Sequence, residues 1–266
     1  MKLLSKTKKI SCFIFCIIFL LFTFQVFGQS LNEYNDLLKK VDALVNFKDN
    51  DLSAKYTIKK TDPGGAVSTT IATMFRRDRT DHFLILILEP IVDKGKGYLK
   101  MGDNLWLYDP VSRSFTFTSA KERFQNSSAR NSDFNRSSYS EDYSVVSGKK
   151  EKLGKFDCTV LDLKALNNSK VSFPTVRIWV SEDNLIRKIE DYSLSGQLMR
   201  TTAIPSYQKV GERWLPVTIY IQDHLVFKNV AGKKEYERTE ITIEEPSLKA
   251  LPDTTYTKEY LERVRN

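Results

Sequence analysis

Along residues 31–47 apolar side chains recur at spacings of three and four: Leu31, Tyr34, Leu37, Leu38, Val41, Leu44 and Val45. That spacing puts them on one face of a helix, and Ser30 with Glu33 forms a Ser-x-x-Glu capping box in front of them. The pattern predicts a first helix over residues 31–47 whose apolar stripe must cover something.

After that the period changes from 3.6 to 2. Phe115 and Phe117 alternate with Ser114, Thr116 and Thr118, and Ile219 and Ile221 alternate with Thr218, Tyr220 and Gln222. Turn residues arrive at short intervals, at Asp62-Pro63-Gly64-Gly65, Met101-Gly102-Asp103-Asn104, Ser181-Glu182-Asp183-Asn184, Ser195-Gly196 and Gly211-Glu212. Loops this short join antiparallel neighbours, because parallel strands need long crossovers. The chain is therefore expected to be mainly β, an antiparallel meander of ten or eleven strands. A twisted sheet of that size curls and gathers one apolar face on its concave side. Residues 83–88 (FLILIL) are apolar on both faces, so that strand should be covered on each, with the N-terminal helix on one.

Residues 119–148 break the rhythm. They are rich in Ser, Asn and Arg, and Phe124, Phe134, Tyr139 and Tyr143 stand isolated, keeping neither period. A long polar excursion in a compact domain is functional or disordered; we read it as a lid or rim.

The N-terminus reads as an address. Lys2, Lys6, Lys8 and Lys9 precede an apolar run over residues 10–24, which predicts an export signal cleaved after Gly28 and a single domain over residues 29–266. The run is shorter than the roughly 20 residues that span a bilayer. Cys12 and Cys16 fall inside it without the small-residue context of a lipid-attachment site, so the exported chain keeps Cys158 alone and can form no internal disulfide. Removing the four signal lysines lowers the formal charge from +8 to +4. The remaining basic residues are interleaved with acids, as in KGKKEYERTEITIEE, which excludes a nucleic-acid-binding surface of the usual kind.

Catalytic patterns are missing from the sequence. It has no Gly-x-Ser-x-Gly, His-Glu-x-x-His, P-loop or dinucleotide fingerprint, and its two histidines, His82 and His224, are too few for a multi-histidine metal site. No cofactor, metal or catalytic residue is expected.

The motifs Gly95-x-Gly97-Tyr98-Leu99, Trp106-Leu107-Tyr108-x-Pro110, Ser132-Asp133-Phe134 and Trp214-Leu215-Pro216, followed by TIYIQDH and a closing LPDTTYTKEYLERV, occur in that order. In order and spacing, over residues 45–264, the chain resembles the outer-membrane lipoprotein-sorting protein family, the LolA/LolB-like periplasmic carriers, in a larger and mostly uncharacterised branch. It departs from the family in lacking an Arg-rich strand after Pro110 and in carrying Asn131 before Ser132. The resemblance implies an incompletely closed antiparallel β-barrel with an N-terminal helix and a short C-terminal helix packed on or in it. It also implies a soluble periplasmic protein that holds acyl chains of lipoproteins or other lipids without catalysis. An inner-membrane donor complex and an outer-membrane acceptor would be its partners, and membrane contact would be transient.

An acyl chain needs contact area, since each buried methylene contributes about 0.8 kcal/mol. Trp106, Tyr108, Phe115, Phe117, Phe134, Trp179, Ile219 and Ile221 are the cavity candidates. Strand parity stays open, because Trp106 and Tyr108 share one face while Leu105 and Leu107 share the other. Two rivals remain: a lipid- or lipoprotein-sensing module of an envelope-stress regulator, and a lipid hydrolase using Ser132, Asp133 and one histidine.

Overall fold

The computed structural model describes residues 31–166 and 171–264, so the expected export signal lies outside the described residues. Residues 31–45 form the predicted helix, α1. It stops two residues early because its end is captured from the sheet. Arg76 donates to the Val45 carbonyl at 3.1 Å, and the Phe47 amide donates to the Asp78 carboxylate at 2.6 Å.

Among the described residues thirteen strands follow, more than the ten or eleven expected. They are β1 (Leu52–Thr61), β2 (Val67–Arg77), β3 (His82–Glu89), β4 (Gly97–Met101), β5 (Asn104–Asp109), β6 (Ser114–Phe117), β7 (Tyr143–Leu153), β8 (Phe156–Ala165), β9 (Thr175–Ser181), β10 (Ile186–Tyr192), β11 (Leu198–Val210), β12 (Arg213–Val230) and β13 (Lys233–Ser247). Two short helices, α2 (Tyr139–Asp142) and α3 (Lys258–Arg263), complete the described chain. The surplus strands carry weak pattern: β6 has only four residues, and β7 begins inside the segment expected to be a lid.

All pairings are antiparallel, in the order β6-β5-β4-β3-β2-β1-β13-β12-β11-β10-β9-β8-β7. The edges β6 and β7 do not pair, so the barrel is incompletely closed. The residues joining those edges, 118–142, cross the inner face as a strap.

The inner face buries Tyr56, Ile58, Met74, Phe83, Ile85, Leu105, Ile221 and Ile241 together with Phe124, Ala129 and Phe134 of the strap. Farther along, Leu38 and Val41 of α1 pack on Leu161, Leu163, Val176 and Ile178. A glycine lets α1 approach: a Cβ at Gly148 of β7 would lie 2.5 Å from the Tyr34 ring.

Strand β3 is covered on both faces as its sequence requires, but α1 is not the cover. Its outer residues Leu84 and Leu86, with Leu99 and Tyr108, are sealed by Tyr256 and Leu261 of the C-terminal segment. Gly97 makes this possible, since a Cβ there would lie 2.3 Å from Leu261 Cδ2.

The same segment is fastened by a buried ion pair. Arg77 donates from Nε and Nη2 to the two oxygens of Asp51 at 2.8 Å each, to the Leu251 carbonyl at 2.5 Å and to Asp253 at 2.5 Å. Its guanidinium lies 4.6 Å from the centre of the Tyr256 ring. The Arg77 hydrogen bonds, with the Leu251 amide, push the Asp51 carboxyl down to about 2.

Two outcomes follow. Leu261→Ala lowers unfolding stability by about 2–4 kcal/mol, read from the urea midpoint, because it empties a site that Gly97 shapes. The contribution of ionised Asp51 is fully present above the ordinary carboxylate pKa near 4 and is lost as pH falls toward about 2. Urea unfolding of Asp51→Asn across that window should lack this part of the pH dependence.

Candidate functional site

The site is built by the strap and by what holds it. A tight turn closes where Phe124 N donates to the Ala129 carbonyl at 2.9 Å and Ser127 N donates back to the Phe124 carbonyl at 2.9 Å. Gln125 and Asn126 sit between them at φ 48° and 56°, a left-handed stretch that a polar turn tolerates. The turn drives Phe124 into the inner face, with its ring centre 4.7 Å from that of Tyr98 and 4.5 Å from that of Phe134.

Charged groups then moor the strap to the wall. Arg123 bonds Asp223 at 2.9 Å and also bonds Glu237, and Ser128 donates from Oγ to Glu237 at 2.7 Å and from N to the Thr239 hydroxyl at 2.9 Å. Arg200 of β11 is buried. It donates to both oxygens of Asp133 on the strap, at 2.6 and 3.0 Å, and from Nε to Asp191 of β10 at 2.7 Å. Burial opposes the Arg200 charge, but the two carboxylates outweigh it and raise the pKa of the guanidinium. Burial pushes the Asp191 carboxyl up.

The strap is also latched to α1. Asp42 accepts from Ser137 Oγ at 2.6 Å, Tyr139 N at 3.1 Å and Ser140 N at 2.8 Å. Asn46 exchanges two hydrogen bonds with the Ser137 backbone, at 2.7 and 2.8 Å.

Between strap, α1 and strands β9 to β13 the inner face leaves a hollow of about 280 Å³. Val41 and Val45 line it from α1, and Phe134, Tyr139 and Tyr143 line it from the strap side. The sheet contributes Ile186, Ile189, Ile204, Leu215, Ile219, Ile221, Ile241 and Ile243. One corner is polar, with Arg200, Asp133, Asp191 and Thr202. The Thr202 hydroxyl is buried without a protein partner. Burial raises the phenols of Tyr139 and Tyr143, so both stay neutral.

Of the residues expected at a cavity, Phe134, Ile219 and Ile221 line this hollow. Trp106, Tyr108 and Phe115 instead pack on the outer face, against the C-terminal segment, with Lys258 over the Trp106 and Phe115 rings at 4.7 and 5.0 Å. Phe117 is exposed beside Trp106. Trp179 is buried with Cys158 and Val160, and its Nε1 donates to Glu151 at 2.9 Å. The cause is parity: Leu105 and Leu107 take the inner side, and alternation turns Trp106 and Tyr108 outward.

The lid expectation needs correction at its C-terminal boundary. The strap ends at Asp142, because β7 pairs with β8 from Tyr143 onward, with a bulge at Val146. It is an ordered cover, and its aromatics fill the inner face next to β2 to β5.

Hydrolase candidates do not assemble. Ser132 Oγ shares a 2.7 Å hydrogen bond with Ser172 Oγ, and Asp133 is engaged by Arg200. His82 lies against Tyr256, His224 Nε2 is 2.9 Å from the Thr201 hydroxyl, and neither lines the hollow. Burial depresses the pKa of both imidazoles and pushes the Cys158 thiol up. Among the described residues no group of three His, Cys, Asp or Glu could hold a metal ion, and no helix is long and apolar enough to cross a membrane.

Apart from Ile219 and Ile221, the sequence does not single out the aliphatic residues of β10 to β13 or the Arg200–Asp133 pair. The alternation of Ile241 and Ile243 in EITIEE carried a signal for the former. Nothing local signals the latter.

A family model described as "Uncharacterized protein" matches residues 79–263. No curated protein matches the sequence. Among solved structures, a LolA superfamily protein from Nitrosomonas europaea is 23% identical, with 85% of this chain and 97% of that chain covered at a TM-score of 0.71. A structure described as an outer membrane lipoprotein-sorting protein domain from Vibrio parahaemolyticus is 18% identical, with 86% and 98% covered at 0.75. A DUF1329 family protein from Desulfovibrio piger is 17% identical, with 87% and 98% covered at 0.76. These likenesses establish that the chain has the fold of those LolA-superfamily and lipoprotein-sorting structures, and the family match supplies the membership: the chain belongs to the uncharacterised family whose model covers residues 79–263.

Proposed function

We propose that this chain is an exported, non-catalytic carrier that holds an acyl chain of a lipoprotein or another lipid on its way across the periplasm. The observation that carries this reading is the hollow itself. Its wall is aliphatic on the sheet side, and its cover is held by polar contacts. Each methylene buried there contributes about 0.8 kcal/mol, so affinity comes from area without any reactive group. The polar corner gives a head group something to meet: the free Thr202 hydroxyl beside the Arg200 guanidinium suits an ester or carboxyl oxygen.

The hollow, at about 280 Å³, lies just below the roughly 300–1,000 Å³ typical of small-molecule sites. It therefore accommodates part of a chain while the cover is down, and a whole chain requires the strap to lift. The arrangement suits that movement. Residues 135–142 are held mainly by hydrogen bonds to Asp42 and Asn46, and a segment with few apolar anchors opens at lower cost than a packed core.

Two measurements test the reading. The purified protein should bind a fluorescent fatty-acid probe, and Ile221→Trp, which fills the hollow, should weaken binding by at least about tenfold, whereas Phe117→Ala on the outer face leaves it unchanged. A protein that takes up no probe, and from which organic extraction recovers no lipid after purification from the envelope, would sink the carrier reading. Asp133→Asn removes one carboxylate from buried Arg200. It should lower stability by about 2–4 kcal/mol, speed probe release in stopped-flow displacement, and expose residues 119–142 to limited proteolysis.

A further inference from the structure

In an antiparallel meander successive turns fall at alternate ends of the sheet, and here the two ends differ in chemistry. The β1–β2, β3–β4, β5–β6, β8–β9, β10–β11 and β12–β13 connections share one end. The remaining hairpin turns share the other. Among the described residues, the four aliphatic side chains more than three-quarters exposed are Val111 (89%), Ile91 (81%), Val92 (78%) and Leu194 (77%). All four sit in turns of the first end. Leu166 and Val67, at the β8–β9 and β1–β2 connections, join them there. The opposite turns, at Asp78–Asp81, Gly102-Asp103, Gly154-Lys155, Glu182-Asp183-Asn184 and Gly211-Glu212, carry polar residues and glycine; Met101, and Phe117 at the end of β6 against Trp106, add the apolar exposure on that side.

The β12–β13 hairpin extends this end. The ladder of β13 with β1 stops at Arg238 opposite Thr61, and the pairs from Phe227–Tyr236 to Val230–Lys233 continue beyond it. Four such pairs reach about 13 Å at roughly 3.3 Å per residue. Both faces of the projection are open, with Phe227 and Val230 exposed. Its charge is basic: Lys228, Lys233 and Lys234 stand against Glu235 alone, and Glu235 accepts from the Gly64 amide at 3.2 Å.

We infer that this end of the barrel docks on the surface of a bilayer containing anionic lipid. Spacing decides between occupants. The aliphatic tips fall in three turns, Ile91 and Val92 on β3–β4 beside Val111 on β5–β6, and Leu194 on β10–β11 with β2, β1, β13 and β12 lying between. A protein partner needs one contiguous complementary patch, whereas a lipid interface accepts isolated apolar prongs wherever they enter. The hairpin lysines supply the matching charge for anionic headgroups. The surface is separate from the hollow, so the inference stands whether or not the hollow holds an acyl chain.

Flotation of the purified protein with vesicles of phosphatidylcholine, alone or with about one third phosphatidylglycerol, tests it. Binding to the anionic vesicles is expected, weakened by high salt. The triple variant Ile91→Asp/Val92→Asp/Val111→Asp should lose at least about tenfold in partitioning, and Lys228→Glu/Lys233→Glu/Lys234→Glu should lose the preference for phosphatidylglycerol. Met101→Asp, at the polar end, should behave as wild type. All these positions are exposed, so circular dichroism and fatty-acid-probe binding without vesicles should match wild type, which separates failure here from failure of the carrier reading. Wild type that floats with neither vesicle, or a triple variant that floats as well as wild type, overturns the proposal.

Discussion

A strongly curled antiparallel sheet with unpaired edges has an apolar inner face that its own strands cannot close, and in this chain a single crossing segment and one helix must cover it. The cover is held by charge. Arg200, buried under the strap, is satisfied only while Asp133 and Asp191 flank it, and Arg123 is likewise held by Asp223 and Glu237. A buried guanidinium loses much stability when a partner is removed, so the Arg200 pairs, aided by half-buried Arg123, fix where the strap lies. Phe124 and Phe134 can then fill the inner face near β2 to β5, and the space beside α1 stays partly open.

The division of labour between the two faces follows from this cover. The outer face of β3 to β5 is occupied by the C-terminal segment, locked by Arg77 to Asp51 and by Leu261 over Gly97. That side is built for stability, with a large aromatic cluster and little polar content. The inner face beneath the strap and α1 has the opposite character. Apolar walls there meet a cover whose fastening to α1 runs through Asp42, Asn46 and Ser137. Hydrogen-bonded covers exchange their partners for water at modest cost, whereas interdigitated aromatic rings do not.

Parts of this architecture were legible in the sequence because they are periodic or local. Residues 31–45 announce a helix through spacing and a capping box, and the short turns announce an antiparallel meander. FLILIL announced a strand covered on both faces, and Leu84 and Ile85 are indeed buried on opposite sides. The cavity was legible only in part. Ile219 and Ile221 lie on it, but the aromatic-rich stretch around Trp106 serves the outer face, because a strand apolar on both sides carries no mark of which side is inner.

What the sequence determined by itself, then, was the kind of element, its approximate bounds and the alternation along each strand, since these depend on residues two to four apart. Which face became a lined hollow was decided by the tertiary structure. Arg200 and Asp133 are 67 positions apart, and Leu261 meets Gly97 across most of the chain. The gathering of Ile91, Val111 and Leu194 at one end also arises only when the meander places alternate turns together. Periodicity fixes two opposite faces for every strand, but inside and outside acquire meaning only when a distant segment covers one of them.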